Sequence, residues 1–289
     1  MNREAGKGDT NMHTLTRRLM SVLIFSVMTG SALPAGASEA LYLANEGILV
    51  RDGETKVLFD PLFENGFGQY QLMPERMQRD LLSGQPPFDN VDAVFVSHAH
   101  GDHFSARLIL AYLRAQPVVV LYAPAQAVTA LRAAAGDGDQ ALFSRVTGIA
   151  LDNSDDVLDF RVGDLSLRVF RVPHSGWPDR RTDIENLVFQ VTLKDGTTVA
   201  HFGDADANPR HFRATASLWD SMPTDLAVPP YWFLTSGGGK EILQEIVQAD
   251  RAVGSHVPTS VPDDPTERQP ELLGLELFTE PGQVQAIRP

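Results

Sequence analysis

The chain has 289 residues, 43% of them hydrophobic and 21% charged, which is the composition of an ordinary globular protein long enough to bury a sizeable core. Its net charge of −13 argues against a surface that neutralises nucleic-acid phosphates, so no nucleic-acid partner is expected. It contains no cysteine, which excludes disulfides, thiolate metal ligands and a cysteine nucleophile.

From Met12 the sequence reads MHTLTRR, then LMSVLIFSVMTGSAL, then PAGASEA. This is a short basic segment, an apolar run and small residues, with Ala35 and Ala37 placed for cleavage before Ser38. Residues 1–37 therefore read as a secretory signal peptide, with a possible extension at residues 1–11, and residues 38–289 as the mature domain. The apolar run is shorter than the roughly 20 residues of a comfortable membrane span, so an uncleaved anchor is the weaker alternative. A periplasmic or secreted protein, not membrane-spanning after cleavage, is expected. Arg17 and Arg18 leave Sec and twin-arginine export both open.

Beyond residue 40, strands and helices alternate without a clear linker. Residues 41–60 read as strand, turn and strand, with Asp52-Gly53 at the turn. Residues 92–97 form a strand-length apolar run, and 105–115 show helical spacing with Ser105 as N-cap. A strand over 117–123 and a helix between Pro124 and Gly136 follow. Strands are expected at 165–172, 186–193 and 198–203, helices at 208–219 and 240–248, short strands at 225–230 and 251–255, and a final hairpin over 272–287. Two groups of strands followed by helices point to two packed β-sheets with helices outside. Residues 62–90 read as a long irregular segment that could lie over a site.

The chemistry concentrates in SHAHGDHF, residues 97–104. His98 and His100 are spaced to point the same way from an extended segment, and Asp102 and His103 follow Gly101, where the chain can turn. His174, Asp204 and His256 each stand just past an apolar strand, as this cluster does. Taken singly, such residues are more often turn caps or structural histidines. Together they are what a metal site at the C-terminal rim of a sheet requires.

These residues resemble the H-x-H-x-D-H signature and downstream ligands of the metallo-β-lactamase superfamily. The resemblance covers residues 40–289 and implies an αββα sandwich: an α+β fold of four layers, two mixed β-sheets flanked by helices. It implies two divalent metal ions, zinc foremost, with iron or manganese as alternatives. By that resemblance His98, His100 and His174 hold the first, Asp102, His103 and His256 hold the second, and Asp204 bridges them. GILVRDGETKVLFDPLF and VDAVFVSHAHGDHF look like the branch holding broad-range metal-dependent hydrolases, ascorbate-phosphate lactonases and N-acylphosphatidylethanolamine-type phospholipases D.

The expected activity is hydrolysis of a small-molecule ester or phosphoester, with a metal-bridged hydroxide as nucleophile and Asp102 as its orienter as well as a ligand. Asp60 is a candidate carboxylate behind a ligand histidine, or else a turn residue before Pro61. Asp204 points away from a true β-lactamase. Arg180 and Arg181 are candidates for an anionic group, and Trp177, Tyr231 and Trp232 for the mouth, each equally readable as loop or core. Phosphodiester and lactone or carboxylic ester remain open, as does a non-catalytic metal-binding or sensing protein that kept the site.

Overall fold

The apolar run near residue 40 builds three strands rather than two: β1 (Glu39–Ala44), β2 (Gly47–Arg51) and β3 (Lys56–Phe59). The turn at Asp52 is as expected, its Oδ1 accepting from the backbone N–H of Glu54 (2.7 Å) and of Thr55 (2.6 Å). The extra turn, at Asn45-Glu46, lies wholly inside the protein, so no polar stretch of the usual kind announces it. Asn45 adopts left-handed backbone (φ +48°), a conformation asparagine tolerates better than most residues.

The computed structural model describes residues 37–153 and 157–287. The signal peptide read at 1–37 falls outside the described residues, apart from Ala37. Among the described residues no helix is long and apolar enough to cross a membrane.

β4 (Ala93–Phe95), β5 (Val120–Pro124) and β6 (Val146–Ile149) extend the first sheet in parallel from β3. The second sheet contains β7 (Val157–Val162), β8 (Leu165–Arg171), β9 (Leu187–Thr192), β10 (Thr198–His201), β11 (Leu226–Val228) and β12 (Arg251–Ala252), in the order β12-β11-β10-β9-β8-β7. β13 (Val284–Ala286) returns to the first sheet and pairs antiparallel with β1. The tail is therefore one edge strand, not the hairpin expected, because β1 offers it a free edge to pair with.

Period-two alternation sorts the strands' side chains into layers. Tyr42, Ile48, Val50, Phe59 and Phe95 face Leu167, Val169, Phe189 and Val191 between the sheets. The opposite face of the first sheet, with Leu43, Leu49, Leu58 and Val94, packs on α1 (Glu75–Ser83), α2 (Ala106–Ala115) and α3 (Ala125–Ala134). The outer face of the second, with Phe170, Val188 and Phe202, packs on α4 (Arg210–Arg213), α5 (Ala216–Ser221), α6 (Trp232–Thr235), α7 (Gly237–Glu241) and the π-helical turn Ile242–Ile246 that continues it. Both sheets are mixed, and the layers run αββα, as the sequence led us to expect. Ser105 caps α2, its hydroxyl accepting from Leu108 N–H at 3.3 Å. The segment 62–90 is not irregular throughout, since it contains α1.

Candidate metal centre

β3 and β4 run parallel, and β10, β11 and β12 run parallel; β8 flanks β9 opposite β10 and so shares their direction. Just past the C-terminal ends of these strands stand Asp60, His98, His174, Asp204 and His256. The rim is built tightly. Gly203, before Asp204, has φ +51°, and a Cβ there would lie 2.5 Å from both Asn186 Oδ1 and Ser97 Cβ. At the 98–103 corner the turn is closed by hydrogen bonds from His103 N–H (3.0 Å) and Phe104 N–H (2.9 Å) to the His100 carbonyl. Gly101 is not in the left-handed region, so this corner does not need the special freedom the sequence suggested.

All seven ligand candidates converge, in two clusters. In the first, His100 Nδ1 lies 3.1 Å from His98 Nε2 and 3.2 Å from His174 Nε2, and Asp204 Oδ2 lies 3.1 Å from His174 Nε2 and 3.9 Å from His98 Nε2. In the second, Asp102 Oδ2 lies 3.3 Å from His256 Nε2 and 3.8 Å from His103 Nε2, and Asp204 Oδ1 lies 3.1 Å from His256 Nε2 and 3.5 Å from His103 Nε2. A tetrahedral ion with bonds of 2.0–2.2 Å holds its ligand atoms about 3.3–3.6 Å apart, so both clusters have the spacing of a cation cage. Asp204 gives one oxygen to each.

The donor chemistry agrees with the spacing. Burial, then the neighbouring His103, holds His98 well below the usual histidine range; burial, then His174, brings His100 down to about 4. Their lone pairs are therefore free at neutral pH, as a metal requires. Burial opposes the charged form of Asp204, but His256 and His103 outweigh it and keep the carboxyl well below its ordinary value. Asp102 is likewise lowered against its burial, chiefly by His256. His103 differs: Asp204 and Asp60 outweigh its burial and hold it well above its ordinary value, so a cation bound there would take the place of its proton. His103 Nε2, His256 Nε2 and Asp204 Oδ1 are buried without hydrogen-bond partners, an arrangement that costs free energy unless a cation sits among them. The residues fit two divalent ions.

Supporting contacts surround the ligands. Asp60 Oδ2 accepts from His103 Nδ1 at 2.8 Å and from the Ser97 hydroxyl, while its Oδ1 accepts from Ser97 N–H at 2.7 Å. Ser97 Oγ in turn lies 3.0 Å from His98 Nδ1. Asp60 thus holds His103 directly and reaches His98 through Ser97, one histidine of each cluster. Sequence reading missed three further buried contacts. Asn186 Oδ1 accepts from Asp204 N–H at 3.0 Å, Asn45 Nδ2 donates to the Asp102 carbonyl at 2.9 Å, and Glu46 Oε1 accepts from the Ser255 hydroxyl at 3.1 Å. The signal for the Asn45-Glu46 pair was two polar residues amid ten that otherwise read as strand. Glu46, Asp60 and His201 also approach one another, but both Asp60 oxygens already accept hydrogen bonds, and this grouping lies behind the two clusters.

A cavity of about 370 Å³ opens onto the clusters, lined by Phe67, Gln69, Tyr70, Ser175, Arg181 and Trp232 beside His100, Asp102, Asp204 and His256. The 62–90 segment does reach the site, through Phe67, Gln69 and Tyr70. The Tyr70 ring meets the His256 ring edge-on at 4.1 Å, and burial, then the Asp204 and Asp102 carboxylates, pushes its phenol up to about 12. Of the substrate-contact candidates, Arg181 and Trp232 line the cavity. Arg180, Trp177 and Tyr231 are not among its lining residues. Trp177 instead packs under Arg210, whose guanidinium carbon is 4.3 Å from the ring centroid, and against His211. Tyr231 packs with Val257, Leu272 and Leu277, and Arg180 folds back over Gly176. Backbone strain gathers here as well. Of the seven non-glycine residues with positive φ among the described residues, five belong to this region: Asn45, Asp60, Phe67, Arg181 and His256.

Solved structures share this architecture at low identity. The metallo hydrolase Igni18 from Ignicoccus hospitalis aligns over 86% of this chain and 97% of its own, with 14% identity and a TM-score of 0.55. YhfI from Bacillus subtilis, a metallo-beta-lactamase fold protein, aligns over 86% and 99% with 16% identity and a TM-score of 0.55. An isothiocyanate hydrolase from Delia radicum gut bacteria aligns over 86% and 98% with 14% identity and a TM-score of 0.53. At such identities the likeness is one of fold. No curated protein sequence matches. The family model for the beta-lactamase superfamily domain matches residues 55–236, which spans β3 through α6 and includes all the ligand candidates except His256. With that match, and with the αββα layers carrying their histidines and aspartates at one rim, the chain belongs to the beta-lactamase superfamily and has the metallo-beta-lactamase fold.

Proposed function

We propose that this protein is an exported binuclear metal-dependent hydrolase acting on an ester-type bond of a small, negatively charged molecule. The observation that carries the reading is Asp204, whose two carboxylate oxygens enter two separate cation-sized clusters. His98, His100 and His174 would hold one ion, Asp102, His103 and His256 the other. Two such ions, when bound, polarise a carbonyl or phosphoryl oxygen and bring water to the pKa of a usable nucleophile.

The remaining work belongs to the chain itself. Asp102, a ligand whose carboxylate faces the cavity, orients the attacking water as a hydrogen-bond acceptor. Tyr70 presents its phenol as a donor toward charge developing on the substrate. Arg181, the one cationic side chain among the cavity residues, meets an anionic group. Phe67 and Trp232 supply flat apolar walls that exclude water. The test is turnover of a model phosphodiester, a lactone and a chromogenic cephalosporin, with and without chelator. Chelator-sensitive hydrolysis of either of the first two supports the reading. Metal-loaded protein that hydrolyses no ester would favour a binding or sensing role instead. Export rests on the character of residues 1–37 and is checked by fractionating cells that make the full chain.

A further inference from the structure

The four ligand histidines that approach Asp204 are not held alike. His98 is fixed through its other ring nitrogen by Ser97 Oγ (3.0 Å), His103 by Asp60 (2.8 Å) and His174 by the Ser175 carbonyl (2.9 Å). His256 Nδ1 is buried with no hydrogen-bond partner. Its backbone is left-handed, at φ +56°, and its N–H donates to the Asn45 carbonyl at 3.1 Å. The same Asn45 donates from Nδ2 to the carbonyl of Asp102 at 2.9 Å. One fully buried residue thus bonds to the backbone of two of the three residues that belong only to the second cluster, Asp102 from a loop of the first sheet and His256 from a loop of the second. The turn is anchored from behind, where Glu46 Oε1 accepts from the Ser255 hydroxyl (3.1 Å) and the Glu46 carbonyl faces His201 Nε2 at 3.0 Å. No hydrogen bond runs from Asn45 or Glu46 to His98, His100 or His174 among the described residues.

We propose that Asn45 is the positioning residue of the second cation site: it sets the distance between Asp102 and His256 and so determines how tightly the second ion, and not the first, is held. The inference rests on the binuclear reading above. Contacts behind a ligand commonly change metal affinity by about 10–100-fold when lost. Here the effect is confined to one site, because the first cluster takes its support from Ser97 and Ser175.

The test titrates metal-free full chain with Co(II), in competition with a chelator, following the visible absorption of the bound ion. Asn45→Gly keeps the left-handed backbone and the carbonyl that holds His256 but removes the amide. Asn45→Asp replaces the donor by an acceptor facing the Asp102 carbonyl. Both variants are expected to bind the first equivalent within about threefold of wild type and the second about 10–100-fold more weakly. Ser255→Ala, which loosens the anchor of the same turn, is expected to weaken the second equivalent by less. Far-UV circular dichroism and thermal melting of the metal-free proteins identify any variant that has lost its fold. Folded Asn45 variants that bind both equivalents as wild type does would overturn the inference. So would equal weakening of both. A wild-type chain that takes only one equivalent would overturn the binuclear reading itself, and the inference with it.

Discussion

The two ligand clusters share Asp204 yet differ in how the chain satisfies them. In the first, His100 Nδ1 lies within hydrogen-bond distance of both His98 Nε2 and His174 Nε2. In the second, His256 Nε2 and His103 Nε2 lie 3.1 and 3.5 Å from Asp204 Oδ1, but these buried atoms complete no hydrogen bond. A buried polar atom left unpaired costs about 1–3 kcal/mol. The second cluster therefore gains more from a cation than the first, and it is also the one whose ligands lean on a distant turn. Preorganisation and need for the ion are distributed unequally across one site.

Removing the shared carboxylate should break the comparison most completely. Asp204→Ala is expected to lose both metal equivalents and to lower kcat/KM by about 10³-fold or more, roughly 4 kcal/mol of transition-state stabilisation, measured by elemental analysis beside turnover. Asp60→Ala, which frees one histidine of each cluster, should weaken both equivalents and lower activity by about 10–100-fold. Tyr70→Phe removes a donor from the cavity without touching a ligand bond. It should lower kcat by about tenfold or more while leaving metal content at wild-type level. Arg181→Ala should raise KM for an anionic ester by about tenfold and leave a neutral one unchanged, since a single charge-assisted contact is at stake.

The smallest effect sits far from the site and serves as a reference. Arg114 donates to both Asp139 oxygens at 2.7 Å and, with the Gly136 N–H, holds that carboxyl down to about 2. A lowered carboxylate stabilises the fold above its unfolded pKa of about 3.9, and the contribution is lost as pH falls through 2. The melting difference between wild type and Arg114→Ala should be constant above pH 5 and shrink toward zero near pH 2. A difference that persists at that pH would show the pair is not the cause.

The candidate ligands stand out in the sequence because metal chemistry admits few residue types and because they follow the ends of apolar strands. The sandwich was legible through two successive groups of strands followed by helices. What escaped was whatever the interior hides. The Asn45-Glu46 turn is buried, so its flanking strands read as one. α1 lies in a segment whose Pro, Gly and Gln content reads as loop, although Leu81 anchors it to the core. The tail reads as a hairpin because nothing local says that β1 is its partner. Trp177 and Arg180 are near His174 in the chain, but Trp177 packs under Arg210 and Arg180 against Gly176, while Arg181 lines the cavity.

The central claim is that two cations share Asp204. Anomalous diffraction from crystals of the metal-loaded protein tests it directly. Two peaks are expected, one about 2.0–2.2 Å from His98, His100 and His174, the other equally close to Asp102, His103 and His256, with one Asp204 oxygen on each. A single peak, or Asp204 and His256 turned away from the 98–103 corner, would contradict it.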